Sequence, residues 1–288
     1  MEKKIIIKSN LSNKEPTKDI SKDDIKNKIP LATSRSSKKV KISNDIVFGS
    51  NNVPIIAGPN GVENFGLMLK VAKQLKKNKI KIIRGHAYKP LTFPYRSKMY
   101  KESKSSGLDI MDEIKDSFNL KVVTEVTEIR YLDRITRTAD ILQIGSRNMQ
   151  NLELLREVSR TEFPIILKRH FGTSLRDFLG AAEHILVEGN ENLILCERGV
   201  SIPHTHRPTS RFALDIQAIP ALKEITKFPI ISDPSHASFW APWVPALTYA
   251  SISAGANGLI IETHPIPDES ISDPNQAITF ETLGEIYK

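Results

Sequence analysis

The sequence contains one cysteine, Cys196, in 288 residues. A lone thiol excludes an intramolecular disulfide and any metal site built from clustered cysteines, and it points to a reducing, cytoplasmic setting. Long apolar runs are missing too. No stretch approaches the roughly 18 uninterrupted apolar residues of a membrane span, so no membrane partner is expected. The opening MEKKIIIKSN has only three apolar residues in a row, too few for the core of a secretion signal. Aromatic residues are absent from the first 44 positions, which is also where nearly all of the net charge of +8 resides. Residues 1–44 carry 12 Lys and Arg against 5 Asp and Glu, while the rest of the chain carries 29 against 28. A basic segment with interspersed acids and no ring for base stacking reads as a solvated arm, and no nucleic-acid partner is expected.

What is present is an ordinary globular composition, 40% apolar and 26% charged, which excludes a disordered chain. Residues 1–37 read as a flexible Lys-rich tail. KKVKISNDIVFGSNN (38–52) alternates apolar and polar residues around a turn and reads as a small hairpin. From residue 53 onward short β-branched runs recur: VPIIA (53–57), IKIIR (80–84), KVVTEV (121–126), DILQIG (140–145), FPIILK (163–168), NLILCER (192–198), FPIISD (228–233) and NGLIIE (257–262). Between them lie amphipathic stretches such as 64–77, 174–189 and 240–255. Strands apolar on consecutive positions suit a parallel sheet covered on both faces. Eight strand–helix alternations fit a (β/α)8 TIM barrel, typically about 250 residues long, over 38–288 with its hairpin. The alternative, an open doubly wound sheet, lacks a GxGxxG loop after its first strand.

Catalytic residues of such barrels lie where the strands end. Those positions hold Asn60, Arg84 with Lys89, Glu125, Gln143 with Arg147, Lys168 with Arg169, Glu197 with Arg198, Asp233 with His236, and Glu262 with His264. Polar loops alone account for any two or three of these, but not for all eight ends. Arg84, Lys89, Arg147, Lys168 and Arg198 would converge on one mouth, and guanidinium groups favour bidentate contact with carboxylate or phosphate. Singly, each is as well explained by an ion pair with a neighbouring acid; together they call for a small polyanionic metabolite. His236, Glu262 and Asp273 form a second constellation. Two readings fit it equally, a divalent-cation site with open positions or a metal-free hydrogen-bonded network. His204 and His206 read as exposed loop residues, His86 and His170 as mouth candidates, and His184 as packing. Cys196 reads as a buried, inert thiol, and Trp240 and Trp243 as packing residues.

Seven blocks, in order from about residue 38 to the end, resemble the short form of 3-deoxy-D-arabino-heptulosonate 7-phosphate (DAHP) synthase. They are IIAGPNGVEN (55–64), IRGHAYKPLTFPY (83–95), LQIGSRNMQNLELLREV (142–158), ILKR (166–169), LILCERG (193–199), DPSHA (233–237) and IIETHPIPDESISDPNQ (260–276). The wider superfamily includes 3-deoxy-D-manno-octulosonate 8-phosphate synthase. The resemblance implies a barrel that condenses phosphoenolpyruvate with a phosphorylated aldose and releases phosphate. It implies that Arg84, Lys89, Arg147, Lys168 and Arg198 hold phosphoenolpyruvate, that Lys89, Lys168, His236 and Glu262 carry the chemistry, and that Asn60, Thr92 and Arg211 contact substrate. It also implies a homo-oligomer, dimer or tetramer, and the short polar tail is not expected to be the regulatory domain that some relatives carry.

Two departures stand out. The family places a metal-binding cysteine where this chain has Asn60, so His236, Glu262 and Asp273 are expected to bind Mn2+ or Mg2+ weakly, or no metal is required. The family's Lys-Pro-Arg-Thr reads Lys89-Pro90-Leu91-Thr92 here, and losing a charge-assisted contact of that kind costs about 1.5–3 kcal/mol. Arg96, Lys98, Arg207 or Arg211 would have to replace it. Erythrose 4-phosphate is the first acceptor to consider. A different aldehyde in specialised metabolism, and a non-catalytic phosphoenolpyruvate-binding barrel, are the alternatives.

Overall fold

The eight apolar runs form eight parallel strands that close on themselves. A computed structural model describes residues 27–34, 38–90, 102–203, 206, 210 and 212–287. The hairpin β1 (Val40–Ser43) and β2 (Ile46–Phe48) comes first. Barrel strands β3 (Ile55–Gly58), β4 (Ile82–Arg84), β5 (Lys121–Glu125), β6 (Ile141–Ile144), β7 (Ile165–Lys168) and β8 (Leu193–Glu197) follow. A two-stranded ribbon, β9 (Val200–Ser201) with β10 (Phe212–Ala213), interrupts before β11 (Ile230–Ser232) and β12 (Leu259–Glu262) complete the barrel against β3.

Each barrel strand contributes one β-branched side chain to the interior: Ile56, Ile82, Val123, Ile141, Ile166, Ile194, Ile231 and Ile260. The stiff χ1 of these residues suits a pleated strand, and burying each contributes about 1.5–3 kcal/mol. Val40, Ile46 and Phe48 pack on the same cluster, so the hairpin plugs the N-terminal end of the barrel. Gly258 allows this: a Cβ there would lie 2.7 Å from the Phe48 ring. The hairpin covers this end of the barrel, and the strand ends at the other form the C-terminal mouth.

The outer helices follow from spacing and caps. α1 (Phe65–Lys77) buries Met68, Val71, Ala72 and Leu75, and the Asn64 side chain caps it by accepting from the Leu67 amide. α2 (Lys104–Phe118), α3 (Leu132–Thr138) and α4 (Leu152–Ser159) follow in turn. α5 (Leu175–Leu186) starts with a reciprocal capping box between Ser174 and Asp177. The remaining helices are α6 (Ala218–Ile225), α7 (Pro234–Ser238), α8 (Val244–Ser253) and α9 (Phe280–Tyr287).

One expectation is corrected. Residues 27–34, assigned to a flexible tail over 1–37, form a turn docked on the barrel, with Ile29 and Ala32 buried. The cause is Glu183 on α5, whose carboxylate accepts from the amides of Leu31 and Ala32 at 3.0 and 2.7 Å. The two bonds satisfy an acid that is itself nearly buried. Residues 1–26 and 35–37 lie outside the described residues.

Candidate active site

Tight packing at the strand ends sets the mouth. Gly58, which closes β3, has φ +147°, and a Cβ there would sit 2.3 Å from the Arg84 carbonyl oxygen. This close approach lets the fully buried Arg84 donate from Nε to the Gly58 oxygen at 3.1 Å and bring Nη2 within 2.9 Å of Glu262 Oε2. Arg84 therefore lies beneath the mouth, locking the end of β4 to the end of β12.

The cavity above it has a volume of about 290 Å³, and its wall includes Lys89, Arg147, Lys168 and Arg198. Four of the five cations read from the strand ends thus surround one space. The charge arrangement differs from a bare cluster. Lys89 Nζ pairs with Glu125 Oε2 at 2.7 Å, Lys168 Nζ with Asp233, and Arg84 with Glu262. The acids aim the cations as well as neutralising them, which is why so many can be gathered. Arg147, on the loop after β6, is exposed and has no ion pair among the described residues. Arg169 turns inward: it pairs with Glu197 and Asp215 at 2.8 and 2.9 Å and donates to the Thr173 carbonyl.

Glu125 and Gln143 line the cavity too, although neither stood out beyond being polar strand ends. Glu125 occupies space that only Gly145 leaves, since a Cβ at Gly145 would lie 1.9 Å from its Oε1. Burial opposes ionisation of Glu125, but Lys89, Lys168 and Arg147 outweigh it and hold the carboxyl below its usual range. His86 accepts from the Glu125 amide through Nδ1 at 2.9 Å. Burial, helped by Lys89 and Arg84, keeps its pKa well below that of a free imidazole.

His236, Glu262 and Asp273 meet at the floor, with one donor atom from each within 4.8 Å of the others. His236 Nδ1 lies 2.8 Å from Asp233 Oδ2, and Nε2 faces Glu262 Oε2 at 3.8 Å. Burial lowers the His236 pKa to about 3 against the pull of Asp233, so the ring is neutral. Burial also raises Glu262 to about 7, with Arg84 opposing and Asp273 reinforcing the rise. Gln276 Nε2 donates to Glu262 Oε2 at 2.5 Å, while Glu262 Oε1 is buried without a hydrogen-bond partner. That unpartnered oxygen, with a neutral imidazole and a second carboxylate, fits a hard divalent cation. Asn60 stands beside the group, and its Nδ2 donates to Asp273 Oδ2 at 2.7 Å. An amide in place of a thiolate gives no soft donor for zinc or iron.

A wall of the cavity that sequence reading missed is aromatic: Phe171, Phe212 and Phe239. Arg198 is part of it, its guanidinium lying 4.4 Å over the Phe212 ring while Nη2 donates to the His236 carbonyl. Phe239 ends α7 at φ +55°, a left-handed conformation that costs a non-glycine residue about 1–2 kcal/mol. Its position just past DPSHAS was the only signal in the sequence.

Other expected residues fall elsewhere. His170 stacks on Phe171, and His206 packs edge-on against Trp243. His264 approaches Glu63 at 3.5 Å, away from the cavity wall. Cys196 is buried inside the barrel, and burial pushes its thiol pKa up, which leaves it inert. Leu91, Thr92, Arg96, Lys98, His204, Arg207 and Arg211 lie outside the described residues.

Fold and mouth together define a (β/α)8-barrel enzyme built for small, multiply charged anions. The chain belongs to the DAHP synthetase I family, whose model it matches over residues 34–288. It is 38% identical over 244 residues to the phospho-2-dehydro-3-deoxyheptonate aldolase of Thermotoga maritima, covering 85% of this chain and 70% of that one. It is 30% identical to the 2-dehydro-3-deoxyphosphooctonate aldolase of Rhodopseudomonas palustris, over 82% of this chain and 86% of the relative. A truncated DAHP synthase from T. maritima superposes with a TM-score of 0.81 at 34% identity, over 90% of this chain and 94% of that one. Among the described residues no helix is long and apolar enough to cross a membrane.

Proposed function

We propose that the mouth binds phosphoenolpyruvate and erythrose 4-phosphate and joins them into a seven-carbon 2-oxo acid phosphate, releasing inorganic phosphate. The observation that carries this is the convergence of Lys89, Arg147, Lys168 and Arg198 on one cavity of about 290 Å³. Arg147 and Arg198 supply the planar donors that phosphate and carboxylate groups take up pairwise.

The C2–C3 π pair of phosphoenolpyruvate forms the new bond to the aldehyde carbon. The carbonyl pair moves to its oxygen, which takes a proton from Lys89 or Lys168. Water adds at C2 and gives a proton to His236 or Glu262. The C2–O bond to phosphate then breaks as the C2 hydroxyl gives its proton to the departing phosphate, leaving the ketone. Arg84 holds Glu262 in place for this step, and Asn60 and Asp273 orient the acceptor's carbonyl and hydroxyl groups. His236, Glu262 and Asp273 would hold a divalent cation, which would supply Lewis-acid polarisation of a substrate oxygen. With Asn60 at the fourth corner, binding is weak and Mn2+ or Mg2+ is preferred over zinc.

The single buried thiol fits a reducing cytoplasm. Tyr249 and Ile252, exposed on the outer face of α8, supply an apolar surface for a homo-oligomer.

Phosphoenolpyruvate alone should raise the thermal unfolding midpoint, and Arg147→Ala should weaken its binding by about 1.5–3 kcal/mol, the worth of a charge-assisted contact. No stabilisation by phosphoenolpyruvate would refute the assignment of the cations.

A further inference from the structure

Three rings in the cavity wall have no part in the chemistry above. Phe171 and Phe212 have ring centres 5.0 Å apart, and Phe212 and Phe239 6.3 Å apart, so the three form one continuous row. Two are braced, Phe171 by the stacked His170 ring and Phe212 by the Arg198 guanidinium, which lines the same cavity. Phe239 is held differently. Its backbone occupies the left-handed region at φ +55°, which glycine adopts freely and a bulky side chain rarely does. It follows His236 by three residues and reaches the same cavity. A strained residue beside a site is evidence that its side chain matters there.

We infer that Phe239 is a specificity-determining residue whose ring closes the acceptor end of the cavity and limits the aldose to a short carbon chain. This rests on the condensation proposed above. Phosphate and carboxylate of the donor require the cations, and an aromatic wall satisfies neither. Arg198 ties the Phe212 part of the wall to the donor, and Phe239, the next ring along the row, is left for the acceptor's carbon chain. An extra CHOH unit pushed against rings meets steric resistance and gives up water hydrogen bonds with nothing in return. The names of two relatives, a heptonate and an octonate aldolase, differ by one product carbon. Chain length of the acceptor is thus the property that varies among proteins of this kind.

The test compares kcat/KM for erythrose 4-phosphate and arabinose 5-phosphate, by phosphate release, in wild type, Phe239→Gly and Phe239→Asn. Glycine relieves the backbone strain, and asparagine tolerates the left-handed region with a smaller side chain, so both variants are compatible with the fold. The ratio of arabinose 5-phosphate to erythrose 4-phosphate efficiency should rise about tenfold or more in each, the scale set by one carbon unit in a closed pocket. A ratio unchanged from wild type in variants with undiminished thermal midpoints would overturn the inference, and so would equal losses with both aldoses. Thermal stabilisation of the phosphoenolpyruvate-saturated proteins by each aldose phosphate supplies a second readout. If wild type turns over neither aldose, the proposed reaction fails. The size limit is then judged by whether arabinose 5-phosphate stabilises the variants and not wild type.

Discussion

Asn60 Nδ2 donates to Asp273 Oδ2 across 2.7 Å, tying the end of β3 to a loop 213 residues further on. Asp273 itself sits at φ +52°, so the loop is held in a particular shape to make this contact. The bond uses one Asp273 oxygen and puts an amide N–H where a ligand would be needed. Phosphate release should therefore survive dialysis against EDTA. Asn60→Cys, which adds a thiolate to His236, Glu262 and Asp273, should become chelator-sensitive and recover with zinc. Complete loss of wild-type activity in EDTA, restored by zinc, would contradict the assignment.

Gly145 is required by Glu125. Gly145→Ala places a methyl group 1.9 Å from Oε1, which displaces the carboxylate and releases its partner Lys89. Overpacking of this kind costs about 1–3 kcal/mol of stability. Urea unfolding should show that loss, and KM for phosphoenolpyruvate should rise with it.

Arg84 and Glu262 form an ion pair with side chains 0% and 1% exposed. Removing one member leaves the other buried and uncompensated, a cost of about 3–5 kcal/mol. Arg84→Met should lower stability by that order in equilibrium unfolding. A loss below about 1 kcal/mol, the range of an exposed pair, would show that the pair is solvated.

His86 gives stability a pH dependence. Its folded pKa lies well below the free value of 6.5, so the folded protein keeps the ring neutral while the unfolded chain takes up a proton. Stability contributed in this way is complete above 6.5 and declines as pH falls below it, by at most about 1.4 kcal/mol per pH unit. Urea midpoints measured between about pH 7 and pH 5 should fall, and His86→Gln should reduce the slope. An identical slope in the variant would exclude His86 as the source.

The barrel was legible because its eight runs are apolar on consecutive positions, and Ile56, Ile82 and Ile166 indeed point to a covered interior. The cations were legible because each closes a strand or follows one within a few residues. Their partners were not. Pairing of Lys89 with Glu125 depends on reach from the loop after β4 to β5, and that of Lys168 with Asp233 on reach past β8, which no linear spacing records. Phe171, Phe212 and Phe239 escaped notice because they lie in loops and short elements where aromatic residues follow no period. The docked turn at 27–34 was hidden in a Lys-rich stretch, its anchor Glu183 lying 151 positions from Ala32.

The most direct test is to count inorganic phosphate released from phosphoenolpyruvate with and without erythrose 4-phosphate. The reaction described above requires one phosphate per phosphoenolpyruvate consumed, only when both substrates are present, and a seven-carbon 2-oxo acid phosphate as product. Phosphate appearing without the aldose, or no phosphate from a protein that binds both compounds, would contradict it.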